Sequence, residues 1–181
     1  MNLDTLRNLP QDDQRVFLLG RVAAETTETD AALRFLWAAL QERRNVGASL
    51  EAPDYFSTTV KECRKFVRDS TTISADDATA IRGALRVASE LYTRRNRYVH
   101  DLLRESLLSS EWELVRLTGE VDIEPEPELV SFDSTVELVR DFVAVKFRLR
   151  GCAMHLLTGT WEGLAFGQLE GRWDGSVDIS R

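Results

Sequence analysis

Cysteine is scarce in this 181-residue chain: Cys63 and Cys152 are the only two, far apart and outside any CxxC pair. That excludes a disulfide framework and a zinc-ribbon pattern. Both fit buried or half-buried free thiols, with one disulfide or a reactive thiol as alternatives. Positive charge is also in deficit. Lysine and arginine number 23 against 30 acids, a formal net charge of −7, and the isoelectric point is near 5.0. Such a balance argues against broad, charge-driven adhesion to nucleic acid or membrane, and leaves room for a small basic site. No apolar run approaches the length of a membrane-spanning helix. The stretch from Met1 to Arg15 has no basic region followed by an apolar one, so the expected location is the cytoplasm. There is no glycine-rich phosphate loop, HExxH string or nucleophile elbow. The two histidines, His100 and His155, are distant and accompanied only by scattered acids. They make no metal site, and no cofactor is expected.

What is present is ordinary globular material: 43% hydrophobic and 29% charged residues, enough for one core and short for two. Residues 1–181 read as a single helical domain, with a core over 12–157 and a C-terminal extension, 158–181, packing back on it. Met1 to Asn8 is a lead-in, and Pro10 sits in a turn or a first helical turn. Val16, Leu19, Val22 and Ala23 begin a helical pattern that Thr26, Thr27 and Thr29 interrupt and Ala31 to Leu40 resumes. One long helix from Asp12 to Arg44, bent near the threonines, is expected. A loop with Gly47 and Pro53 follows. Ser57 to Asp69 is a second helix, apolar through Phe56, Val60, Cys63 and Val67, and basic through Lys61, Arg64, Lys65 and Arg68. Ser74, with Asp76 and Asp77 behind it, opens a third. Ile81, Leu85, Ala88, Tyr92 and Val99 form its stripe.

After Leu103 the pattern changes. Trp112, Leu114 and Leu117 alternate loosely, Val121 and Ile123 follow, and the Glu-Pro run from Glu124 to Glu128 cannot be a regular central strand. This reads as a small β-hairpin or an irregular insertion. Ser131 to Leu157 is the last major helix. Its stripe is Val136, Val139, Val143 and Phe147, widened by Leu138, Phe142 and Leu149. Trp161, Leu164, Phe166 and Trp173 fit a tail that packs back. The fold class is therefore all-α: an up-and-down four-helix bundle with the insertion before its last helix.

One segment can carry chemistry. Arg94, Arg95 and Arg97 surround Asn96, and His100 and Asp101 follow. Histidine transfers protons near neutral pH, and arginine grips two phosphate oxygens in one planar fork. The set suits phosphodiester chemistry or phosphate binding. Asn96 and His100, four apart, share a helix face. Arg95 and His100, five apart, point about 140° away from each other. A bend, the length of the arginine, or a two-fold dimer would have to join them. A structural polar cluster, with His100 as a helix cap or a partner of Asp101, fits the same residues.

The string Arg95-Asn96-Arg97-Tyr98-Val99-His100 resembles the RNxxxH, or more broadly RX4-6H, signature of the HEPN superfamily of helical-bundle domains. The element order over about 12–157 is similar as well. The resemblance implies a metal-independent RNA endonuclease of the kind found in toxin–antitoxin and defence systems, acting as a homodimer with the motif at the subunit interface. Arg95 would polarise the scissile phosphate, and Asn96 would orient the site. His100 would activate the ribose 2′-hydroxyl, leaving a 2′,3′-cyclic phosphate and confining the reaction to RNA. A cognate antitoxin or regulatory protein is implied as a partner. Other members of the family bind without cutting.

Lys61, Arg64, Lys65 and Arg68, together with Arg82, Arg86, Arg94 and Arg97, can line an RNA track, or they can be solvated helix faces. Glu25, Glu28 and Asp30 can approach the motif and hold Arg95 or His100, or they can be surface acids. His155, near Cys152 and Met154, reads as a packed imidazole. Trp37 and Trp112 read as core or interface residues. Three functions stay open: an RNA endonuclease, a noncatalytic nucleotide- or RNA-binding regulator, and a structural dimeric interaction bundle.

Overall fold

The computed structural model describes residues 3–42, 46–100, 102–105, 112–115 and 128–160. The tail packing proposed for Trp161 to Trp173, and the reading of Leu117 to Pro127, lie outside them. A short helix, α1 (Leu3–Arg7), precedes the long α2 (Gln11–Leu40). A 3-10 segment, Val46–Glu51, leads to α3 (Phe56–Asp69) and then α4 (Ala75–His100). Three short strands follow, β1 (Leu102–Glu105), β2 (Trp112–Val115) and β3 (Glu128–Val130), before the closing α5 (Phe132–Thr158). The strands lie in the order β1-β2-β3, antiparallel throughout, with Leu102 opposite Val115 and Trp112 opposite Val130. The protein is mostly helical.

α2 runs unbroken through its threonines. Thr26 donates to the Val22 carbonyl at 2.6 Å and Thr29 to the Glu25 carbonyl at 2.8 Å. Each hydroxyl is thus satisfied one turn back on its own helix, and both residues are buried. The helix ends at Leu40, short of Arg44. Its buried stripe is Leu18, Val22, Glu25, Thr26, Thr29, Leu33, Leu36 and Trp37. Val16, expected on that stripe, is 67% exposed. The first contact of α2 is instead Leu18, which packs with Leu6, Val130 and Val136 in a small second core.

The main core takes Val60, Cys63 and Val67 from α3, Ile81, Leu85 and Ala88 from α4, and Leu138, Phe142, Val145 and Leu149 from α5. On α5 the buried stripe is centred on Phe142, Val145 and Leu149, leaving Val143 and Phe147 half-buried, because this helix packs on both α2 and α4. Ser131 caps α5 by accepting from the Ser134 amide at 3.0 Å. Gly159, at φ 73°, ends it in the left-handed conformation that glycine adopts without a Cβ penalty.

The strict up-and-down order is corrected. In that order α2 and α5 would be antiparallel, yet they run parallel. Leu18 lies with Val136, Glu25 with Lys146, and Leu40 with Leu156. α4 and α5 are antiparallel: Arg94 meets Asp141 and Asp77 meets His155. The connection from Gln41 to Tyr55 makes the extra reversal. It returns beside α2, where Arg34 donates to the carbonyls of Ala52 at 3.4 Å and Asp54 at 3.1 Å.

Candidate functional site

The RNxxxH segment lies on α4, which stays helical through His100. The side chains of Val99 and His100 lie outside the described part. Continuous helix spreads the neighbouring side chains in different directions, about 100° per residue. Arg94 turns to α5, where its guanidinium lies 3.2 Å from the Asp141 carboxylate. Arg95 turns to the opposite flank. Its guanidinium carbon sits 5.6 Å from the centre of the Tyr92 ring. Its Nη1 donates to Asn96 Oδ1 at 3.2 Å, and its buried Nε has no hydrogen-bond partner. Asn96 is exposed, while Arg97 and Tyr98 are half-buried.

Tyr92 is the bracket of this site. It stacks on Phe56, with centroids 3.6 Å apart and planes within 8°. Burial, and then the negative charge of Asp30, hold its hydroxyl above the usual tyrosine range, against the opposing pull of Arg95 and Arg34. Arg34 in turn pairs with Asp30 at 2.8 Å. The surroundings of Tyr92 thus include Arg95, Asp30 and Arg34, of which Arg95 and Asp30 were sequence candidates. A tyrosine one turn before the motif arginine was the available signal for Tyr92.

Asp30 binds Arg34, and the two other candidate acids face away from the motif. Glu25 and Glu28 converge on Lys146, at 2.6 and 2.7 Å. Arg21 reaches Glu25 at 2.6 Å, and Arg150 lies 4.0 Å from Glu28. The Glu25 and Lys146 side chains are only 4% and 8% exposed. This internal charge network joins α2 to α5, and sequence reasoning missed Lys146 because it lies on an otherwise apolar helix side.

Among the remaining basic candidates, Lys61, Arg64, Lys65 and Arg68 form an exposed face of α3. Arg64 approaches Ser89 Oγ on α4 at 3.3 Å, which joins that face to α4. Arg82 and Arg86 are exposed on the same helix. Arg68 is engaged by Asp69 at 2.8 Å, and Arg86 by Glu90 at 2.7 Å. His155, expected as a packed imidazole, lies 3.0 Å from Asp77 at the far end of α4.

Cys63 and Cys152 are free and buried. Burial, reinforced by Glu62, pushes the Cys63 thiol up to about 12. Burial, reinforced by Asp77, pushes Cys152 up to about 11. Neither is a thiolate at neutral pH. No group of three metal-ligating side chains occurs among the described residues. No helix among them is long and apolar enough to cross a membrane. No family model, curated protein or solved structure matches the chain.

Proposed function

We propose that this protein is a HEPN-like, metal-independent RNA endonuclease of a defence or toxin–antitoxin type, working as a homodimer in the cytoplasm. The observation that carries the reading is the posture of Arg95. Its guanidinium is braced against the Tyr92 ring and held by the Asn96 carbonyl on the helix that ends at His100. An arginine fixed in this way presents a phosphate with donors whose orientation is already set, which lowers the ordering cost of binding. In the proposed reaction, His100 takes the proton of the ribose 2′-hydroxyl as that oxygen attacks the adjacent phosphorus. The bond to the departing 5′-oxygen breaks, the second subunit's copy of His100 protonates that oxygen, and a 2′,3′-cyclic phosphate remains. Arg95 neutralises the charge that grows on the phosphoryl oxygens. The exposed α3 face, with Lys61, Arg64, Lys65 and Arg68, guides the strand electrostatically, together with Arg97. Arg94 is committed to Asp141 and serves the helix packing first.

One observation favours the noncatalytic reading. Arg94 turns to Asp141 while Arg95 turns to Tyr92 and Asn96, so a single copy holds RNA more readily than it assembles a cutting site.

The test is cleavage of labelled single-stranded RNA in EDTA by the wild type, Arg95→Ala and His100→Ala. We expect cleavage by the wild type, cyclic phosphate ends, and loss of at least about 100-fold in each variant, the lower range for a general acid–base group. RNA bound but uncut by the wild type would establish the noncatalytic reading instead.

A further inference from the structure

A cavity of about 330 Å³ lies at the end of the bundle away from the RNxxxH segment. Asp77, on its wall, is 23 residues from His100 along α4, roughly 35 Å at the helical rise. The volume lies within the range of small-molecule sites. Three helices end here. α2 stops at Leu40, α3 at Asp69 just before Ser70, and α5 at Thr158 just before Gly159; Leu40, Ser70 and Gly159 all line the space. Each helix C-terminus carries partial negative charge on its last carbonyls, of which those of Ala38, Ala39, Phe66 and His155 accept an amide from the one or two residues that follow the helix. The one N-terminus present, that of α4, is already answered by Ser74, which accepts from the Asp77 amide at 3.1 Å, and by Asp76 and Asp77 in the first turn.

Among the described residues, the lining carries two carboxylates, Glu42 and Asp77, and the imidazole of His155, with no lysine or arginine. Asp77 is engaged by Ser74 at 2.7 Å and by His155 at 3.0 Å. Glu42 follows α2 at a position where glycine or asparagine ordinarily closes a helix. Its φ is 58°, and it is the one non-glycine residue with positive φ among the described residues. A glutamate held there sacrifices stability, and its carboxylate is what glycine could not supply. Leu40, Ile73 and Leu156 add apolar side chains to the lining.

We propose that this cavity binds an organic cation, an ammonium or guanidinium group on a short aliphatic body. The helix ends and Glu42 receive the charge, and Leu40, Ile73 and Leu156 cover the body. The site is independent of the proposed nuclease chemistry. The cation is either a free amine or a lysine or arginine side chain of a partner.

Calorimetric titration of the full-length chain tests this, with n-butylammonium, agmatine and an acetylated, amidated Gly-Lys-Gly peptide as probes, and n-butanol and butyrate as controls. We expect saturable binding of cations alone, with shifts of the Leu40, Ile73 and Leu156 methyl resonances. Stronger binding of the amines than of the peptide assigns a free ligand, and the reverse assigns a side chain. Glu42→Gly is the decisive variant. It should raise the melting temperature, because glycine relieves the backbone, while weakening cation binding about tenfold or more. A structural role for Glu42 would not move stability and binding in opposite directions. Absence of cation binding, equal binding of butanol or butyrate, or undiminished binding in Glu42→Gly would overturn the proposal.

Discussion

At the scale of single residues, the structure separates groups by what their surroundings permit. Cys63 and Cys152 are buried, and their thiols are held at about 12 and about 11. We expect both to resist a thiol-specific reagent in the native protein at pH 7.5 and to react fully, two per chain, in strong denaturant. Fast native labelling of either would contradict this burial. Glu28 behaves in the opposite sense. Its hydrogen bond to Lys146, ahead of the opposing effect of burial, lowers its carboxyl below the ordinary 4.5. A carboxyl lowered on folding contributes stability that is fully present above pH 4.5 and lost as the pH falls through its lower folded value. Glu28→Gln should therefore flatten the acid side of the stability profile in urea titrations between pH 5 and 2. An unchanged slope would show that this ion pair carries no linkage. Legibility at this scale was uneven. Arg95 and Asn96 stood out by type and spacing, whereas the ring of Tyr92 supporting them could be read only as part of an apolar stripe.

At the scale of elements, the pairing of α2 with α5 is the unusual feature, because it buries charge. Burying Glu25 and Lys146 carries a desolvation penalty that their 2.6 Å contact and the added Arg21 contact offset only through good geometry. Lys146→Met should destabilise the fold by about 3 kcal/mol, near the low end for a broken buried pair because Arg21 still serves Glu25. The double variant Glu25→Leu/Lys146→Met should recover most of that loss. Urea unfolding of the two variants measures both numbers, and a double variant no more stable than the single one would refute the account. The helix boundaries themselves were largely legible. α3 and α5 begin and end within a residue or so of expectation, and for α5 the reason is local: Ser131 caps its first turn and Gly159 closes its last. The bend expected at Thr26 to Thr29 does not interrupt α2, because i−4 carbonyls were available to the hydroxyls.

At the scale of the whole molecule, the helix directions decide what the motif can do. α4 passes continuously through the RNxxxH segment, so positions 95 and 100 lie about 140° apart around its axis. The continuous helix removes a bend as the way to join them, and the proposed nuclease draws on a second copy of the chain. We expect sedimentation to give a two-chain mass. Cleavage per chain should fall steeply on dilution through the dimer dissociation range, rather than staying constant as it would for a self-sufficient monomer. Constant specific activity across that range, with a one-chain mass, would remove the dimer from the mechanism.

Helical class, the apolar faces of α3 and α4, and the one chemically distinctive segment were all determined by the chain's own periodicity and residue types, because these act over a few turns. The tertiary structure alone decided the rest: that α2 and α5 lie parallel, that Glu25 and Glu28 serve Lys146 rather than the motif, and that three helix ends line one cavity. Each of these depends on residues brought together across up to 121 positions of sequence. Such meetings are set by the packing of whole helices, and no local pattern records them.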